Sequence, residues 1–545
     1  MSAINYRNRS VNVHQFSMVP RADIPRSSFK IQSAYKTTFD AGYLIPVYVD
    51  EVLPGDTVNL KMTAFTRLTT PIYPIMDNMH METFWFFVPN RLVWEHWQAF
   101  MGERWPDPDS SIDYLIPQQV SPAGGYAVNS LQDYMGLPTV GQVASGKTVS
   151  HSALFLRAYN LIWNEWFRDE NLQDSVTVDR GDGPDDVSNY VLLRRGKRHD
   201  YFTSALPWPQ KGDSVPLPMT GDAPIAGTAS IKSSGAFMLG NHNFYTRYVD
   251  NIGTWSTTTS GSVSASAVYT SGLGVDLSGA YADLSAVTAA TINQLRQSFQ
   301  IQRLLERDAR GGTRYTEILR AHFGVVSPDA RLQRPEYLGG GHSPVNINPI
   351  AQTSGSGATG TTAPLGTLGA MGTSLVQGHG FSQSFVEHGM IIGLVNVRAD
   401  LTYQQGLHKM WSRSTRYDFY FPVFAHLGEQ AVLNKEIYVT GDSTQDDGVF
   451  GYQERWAEYR YRPSQITGQF RSTYSNTLDG WHLAQKFSNL PALNADFIQD
   501  NPPIDRILAV GSQALGSQFY FDAFFDVIKV RPLPMYSVPG LIDHF

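Results

Sequence analysis

Three short stretches carry residue types at spacings that would do chemistry. "GQVASGKT", Gly141–Thr148, fits the phosphate-cradling pattern G-x-x-x-x-G-K-[ST]. In that pattern a Gly-rich turn aims backbone N–H groups at phosphates, a lysine reaches the outer phosphates and a hydroxyl holds Mg²⁺. "VDRGDGPDD", Val178–Asp186, places Asp179, Asp182, Asp185 and Asp186 close enough in sequence to hold Ca²⁺ through carboxylate oxygens. "RRGKRH", Arg194–His199, sets five cationic or titratable side chains within six positions, next to Tyr201 and Phe202. Lysine and arginine neutralise phosphates, and aromatic rings stack on unpaired bases.

Each pattern depends on the element beneath it. A phosphate loop follows a buried parallel strand and opens straight into a helix. Here Gly136 and Pro138 interrupt any strand before the motif, and the next helix starts late, near Ser150–Ser152. A Gly-Ser loop capping a helix is therefore the preferred reading. The acidic stretch misses the EF-hand spacing, which favours a solvated loop, and no metal is assigned. For the basic run two readings stay open. One is contact with nucleic acid; the other is a subunit interface or a solvated turn paired with the acidic loop. There is no H-E-x-x-H or G-x-S-x-G, and the 14 histidines are scattered. No catalytic constellation and no cofactor site emerges.

The flanking elements are mostly β. "GYLIPVYVDEVLPGDTVNLKMTAFTRL" reads as two strands around a turn at Pro54–Asp56, with Val58, Leu60, Met62 and Ala64 on one buried face. Met79–Asn90 reads as a deeply buried strand. Met390–Tyr403, Arg416–His426 and Ser517–Pro534 read as late strands. Helices are predicted over Ser152–Leu172, Thr291–Arg310 and Arg314–Gly324. Gln352–Gly372 is a Gly/Ser/Thr-rich loop. The result is a mainly β chain whose sheet is built from both ends, with long excursions between strands.

Composition narrows the function. The 545 residues carry a formal charge of −7 and no cysteine, so disulfides and thiol chemistry are absent. Charged residues are only 17% and aromatics 12%, a mix that suits a protein with much surface hidden against other subunits. The N-terminus has no apolar signal core, and "FWFFV" is too short to span a bilayer. Residues 1–34 read as a polar, irregular basic arm: Arg7, Arg9, Arg21, Arg26 and Lys30 against Asp23, five minus one, about +4. Segments 35–220 and 286–545 hold the strands and helices. Between them 221–285 reads as a small β-rich insertion with a polar surface, given hydrophobic content by Phe237, Phe244, Tyr245, Tyr248, Trp255, Tyr269 and Tyr281.

Six strings then resemble one family: "FRDENLQ", "LLRRGKRHDYFTSALPWPQKG", "FQIQRLLERDARGGTRYTEILRAHFGV", "SPDARLQRPEYLGG", "FGYQERWAEYRYRPSQITGQFR" and "YSVPGLIDHF". They resemble the major capsid protein of microviruses of the gokushovirus branch. The resemblance implies an eight-stranded viral jelly roll with large inter-strand insertions. It implies about sixty copies in a T = 1 icosahedral shell around circular single-stranded DNA. An internal DNA-binding protein and a pilot protein are its implied partners. It also implies a three-fold protrusion, for which 221–285 is in place. On this basis Arg7, Arg9, Arg21, Arg26, Lys30, Arg194, Arg195, Lys197 and Arg198 are DNA-facing candidates. Phe237, Phe244, Tyr245, Tyr248, Trp255 and Tyr269 are candidates to meet a host surface ligand, a glycan or lipopolysaccharide. A trimeric receptor-binding fibre and a jelly-roll carbohydrate enzyme are the competing classes.

Overall fold

A computed structural model describes residues 25–103, 114–216, 291–326, 333–351, 353, 366, 368–509 and 516–536 in full, and the backbone of five strands between 225 and 282. The chain divides into two compact units, Met1–Pro209 with Gly311–Phe545, and Gln210–Arg310.

Eight strands build the first unit: β1 Ser27–Phe39, β2 Ile45–Val52, β3 Thr57–Leu68, β4 Met79–Pro89, β5 Glu336–Ala351, β6 Leu368–Ser384, β7 Gly389–Ala399 and β8 Phe519–Arg531. Their order is β1-β8-β3-β6-β5-β4-β7-β2, antiparallel throughout. This is jelly-roll order, with β1-β8-β3-β6 forming one half and β5-β4-β7-β2 the other. β5 crosses between the halves. Glu336–Val345 pairs with β4, and Asn346–Ala351 pairs with β6.

The alternation in β3 explains its place. Val58, Leu60, Met62 and Ala64 point into the barrel and are buried, while Lys61, Thr63, Phe65 and Arg67 point out. The turn before it uses Gly55 at φ 90°, and the Asp56 carboxylate accepts from Leu53 N at 2.9 Å and from Arg531 Nε at 3.0 Å. β4 is apolar on both faces because both are covered. Met81, Trp85 and Phe87 enter the barrel core, whereas Phe86 and Val88 meet α1, Leu154–Ile162. Trp85 packs on Phe381 and Phe525 with centroids 5.9 and 6.2 Å away.

Four predicted elements differ. Within the segment read as an irregular arm, residues 1–34, Ser27 already starts β1, which pairs along its whole length with β8. The helix from Ser152 stops at Ile162 and passes through a π turn, Trp163–Phe167. There the Asn164 side chain donates to Val176 O at 2.8 Å and accepts from Val176 N at 3.0 Å, folding the chain back. The strand read at Arg416–His426 is two short 3₁₀ turns, Arg416–Asp418 and Pro422–Phe424. The Asp418 carboxylate closes the first by accepting from Ser414 N and Thr415 N, and Pro422 opens the second. Within the loop read as Gln352–Gly372, Leu368–Gly372 belongs to β6.

In the same unit α2, Tyr315–Phe323, ends on Gly324 at φ 71°. The second unit is wider than 221–285. Ile225–Lys232 pairs with Gly274–Ala282, and Phe237–Met238, Phe244–Tyr248 and Ser256–Thr259 form a three-stranded sheet. It also takes in the helix Ile292–Arg310.

Candidate nucleic-acid interface

The basic run lies extended between two other segments. Leu44 N donates to Leu193 O at 3.0 Å, Arg195 N to Gly42 O at 2.8 Å, and Lys197 N to Ile498 O at 2.7 Å. Asp500 N returns to Arg195 O at 2.8 Å. Gly42 permits this closeness: at φ 83°, a Cβ there would lie 2.1 Å from Asp500 O.

The side chains then diverge. Arg194 stacks on Tyr43 at 4.0 Å and donates to Asp500 O at 2.9 Å. Arg195 pairs with Glu82 and lies 4.6 Å from the Phe84 ring centroid. Lys197 is buried with its ammonium 4.3 Å from the Phe497 centroid. Arg198 reaches Asp400 at 2.7 Å and Glu82 at 3.5 Å. From β7, Arg398 Nη2 donates to both Glu82 carboxylate oxygens, at 2.9 and 3.1 Å. Glu82 thus holds three arginines, and the partners are the Glu82 and Asp400 carboxylates and the Asp500 backbone carbonyl rather than the acidic loop upstream.

Burial dominates the electrostatics. It pulls Lys197 down to about 8, Arg195 to about 9 and Arg398 to about 10. It pushes Asp500 up to about 6 although Arg398, Lys197, Arg195 and Arg194 oppose the shift. Four cations, Arg195, Lys197, Arg198 and Arg398, and one acid, Glu82, line an open cleft of about 600 Å³, an excess of three positive charges. Phe84, Phe86, Trp166, Phe167 and Tyr337 line its apolar wall. Such a cleft suits an anion that carries a flat apolar group.

Glu82 and Arg398 escaped the sequence reading. Their signal was a lone charge inside a near-continuous apolar strand, Glu82 in "MHMETFWFFV" and Arg398 in "IIGLVNVRAD". A charge at such a position needs a buried partner.

The phosphate-loop motif does not form a phosphate loop. Val140 and Val143 make an isolated bridge, Lys147 N turns back to Ala144 O at 3.0 Å, and a short strand, Ser150–Ser152, follows instead of a helix. In the acidic loop each carboxylate has its own task. Asp179 accepts from Gly181 N at 2.8 Å, Asp182 from Trp94 Nε1 at 2.8 Å, and Asp186 from Ser188 N at 2.9 Å, while Asp185 is buried on Arg157. Among the described residues no three acidic or histidine side chains converge as for a metal.

Comparison with known proteins settles the family. A family model described as capsid protein (F protein) matches residues 17–541. The chain belongs to this capsid protein family. Capsid protein VP1 of Bdellovibrio phage phiMH2K is 48% identical over 538 residues, spanning 98% of this chain and 99% of that protein. Capsid protein VP1 of Chlamydia phage 1 is 46% identical over 596 residues, spanning 98% of each. Capsid protein VP1 of Spiroplasma virus 4 is 36% identical over 570 residues, spanning 99% of each. These are microvirus capsid proteins of the gokushovirus type, the family that the six strings resemble. The chain is a major capsid protein of phage virions and not an enzyme.

The other candidates of this capsid protein are spread along the chain. Arg26 donates to Thr57 Oγ1 at 2.9 Å, and Lys30, in β1, lies 3.7 Å from Asp526. Arg7, Arg9 and Arg21 fall outside the described residues, as do Trp255 and Tyr269. Phe237, Phe244, Tyr245 and Tyr248 are placed by backbone, on two strands of the second unit's three-stranded sheet.

Proposed function

We propose that this chain closes into a T = 1 icosahedral shell of about sixty copies around circular single-stranded DNA. The observation that carries self-association is the segment read as a strand at Arg416–His426. Trp411, Tyr417, Phe419, Tyr420, Phe421 and Val423 are all exposed on the single chain. Large apolar side chains exposed this densely between Trp411 and Val423 mark a protein contact, and a shell supplies one on every subunit.

The basic N-terminal arm carries charge toward the genome through Arg7, Arg9, Arg21 and Arg26, and Lys30 adds its charge from β1. Arg194, Arg195, Lys197 and Arg198 already have partners within the chain, so their contribution is the net positive field of the cleft. An internal DNA-binding protein and a pilot protein share the interior. Residues 221–285 form the protrusion at the three-fold axes and meet a glycan or lipopolysaccharide on the host.

Electron microscopy of nuclease-treated particles tests the reading. Closed shells with knobs at the three-fold axes are expected. Small discrete oligomers, formed even with assembly partners present, would overturn it in favour of a fibre. Exchange of 221–285 between related phages is expected to change adsorption, and unchanged host range would remove the attachment role.

A further inference from the structure

The two halves of the barrel present very different outer faces. On β4 and β7, Phe86, Val88, Ile392 and Leu394 point away from the barrel core, yet all are buried because α1 and its flanking segments cover them. On β1-β8-β3-β6 the outward residues are open. Phe65 is 38% exposed, Tyr520 47% and Phe524 44%.

Strand register arranges these residues in rows. Thr38, Tyr520, Arg67 and Thr373 lie side by side, then Lys36, Asp522, Phe65 and Leu375, then Ala34, Phe524, Thr63 and Gln377. The next two rows bring Lys61 beside Asp526, and Lys30 beside Ile528. Phe65 is thus the diagonal neighbour of both Tyr520 and Phe524, at roughly 7–8 Å between backbones. Lys30, Lys36, Lys61 and Arg67 face Asp522 and Asp526, four minus two, an excess of two positive charges. A groove of about 390 Å³ opens between Lys36, Phe65, Arg67 and Tyr520. The edge strand of this face, β1, continues directly from the stretch that holds Arg7, Arg9, Arg21 and Arg26.

We propose that this bare sheet face is a stacking platform for the unpaired bases of single-stranded DNA, with Phe65, Tyr520 and Phe524 as the rings and Lys36, Lys61 and Arg67 as phosphate contacts. Rings with an excess of cations select a polyanion that has free base faces. A second copy of the chain would find the same cations repelled by its own. The inference rests on the reading of the chain as a shell around single-stranded DNA and assigns that DNA a place.

Ultraviolet cross-linking of intact DNA-filled particles, with mass spectrometry of peptide–nucleotide adducts, tests it first. Adducts on peptides bearing Phe65 and Tyr520–Phe524 are expected. DNA-filled shells whose adducts map only elsewhere would overturn the platform and leave the capsid reading intact; failure to form shells at all would strike that reading instead. A second measurement uses purified full-length protein and a fluorescent oligodeoxythymidine of about 16 nucleotides. The Phe65→Leu, Tyr520→Leu, Phe524→Leu triple variant is expected to bind it at least tenfold more weakly, while its affinity for a duplex of similar length stays the same. Unchanged oligodeoxythymidine binding, with or without loss of shell assembly, would overturn the proposal. Loss of assembly alone would assign the face to contact between copies.

Discussion

Arg157 and Asp185 form an ion pair with no exposed side-chain surface on either partner. Arg157 Nε donates to one Asp185 oxygen at 2.8 Å, and its Nη2 grips the other. Arg157 Nη1 donates to Val93 O at 3.1 Å and Gly181 O at 2.8 Å, and the Tyr190 hydroxyl donates to Asp185. This pins the acidic loop onto α1. Arg157→Leu leaves a buried carboxylate uncompensated and is expected to cost about 3–5 kcal/mol, whereas the Arg157→Leu, Asp185→Leu double variant costs less. Urea unfolding of both decides; a double variant at least as unstable as Arg157→Leu would show that the orphaned carboxylate is not what costs stability.

Asp500 makes stability depend on pH. Its carboxyl is raised by burial to about 6 in the folded chain, against 3.8 for the free group. The folded state therefore holds this proton more tightly. The contribution is fully present below the unfolded value and is lost as pH rises through about 6, on the order of 1–3 kcal/mol. Lys197 acts at the other end. Lowered by burial to about 8, it contributes stability at high pH that is lost as pH falls through that value. Asp500→Asn is expected to flatten the stability profile from about pH 4 to about pH 7. An unaltered profile in urea titrations would assign the dependence to other groups.

Gly393 lies opposite Trp85 across β7 and β4, and a Cβ there would come within 2.3 Å of the indole. The missing side chain lets Trp85 lie over the neighbouring strand and still reach Phe381 and Phe525. Gly393→Ala is expected to lower stability by about 1–3 kcal/mol through overpacking. Thermal unfolding measures it, and a wild-type midpoint would show that the indole has room to move.

Lys147 sits in an exposed loop. Lys147→Ala is expected to leave stability within about 0.5 kcal/mol of wild type and to alter no nucleotide binding. A fluorescent ATP analogue titrated against both proteins checks this; lysine-dependent binding would revive the phosphate-loop reading.

Several elements were legible because one local signal sufficed. The alternation of Val58, Leu60, Met62 and Ala64, and the doubly apolar run at Met79–Asn90, mark strands whatever their neighbours. Arg314–Gly324 carries helical periodicity and a glycine stop. Where the signal had two meanings, reading failed. Arg416–His426 has the apolar alternation of a strand, but Tyr417, Phe419, Tyr420 and Phe421 are exposed and its backbone is spent in two 3₁₀ turns, one closed by Asp418 and one opened by Pro422.

The residue order alone determined the family, the alternating strands and the absence of thiol chemistry, because these depend on types and near spacing. Partnership between distant charges was decided only by the tertiary structure. Glu82 meets Arg195 and Arg398 across 113 and 316 positions. The same holds for the outward row of Lys36, Asp522, Phe65 and Leu375, set by β-register among four separated strands. Coulomb interaction and stacking act over a few ångströms of space, and a chain that crosses a jelly roll brings together residues that no sequence window contains.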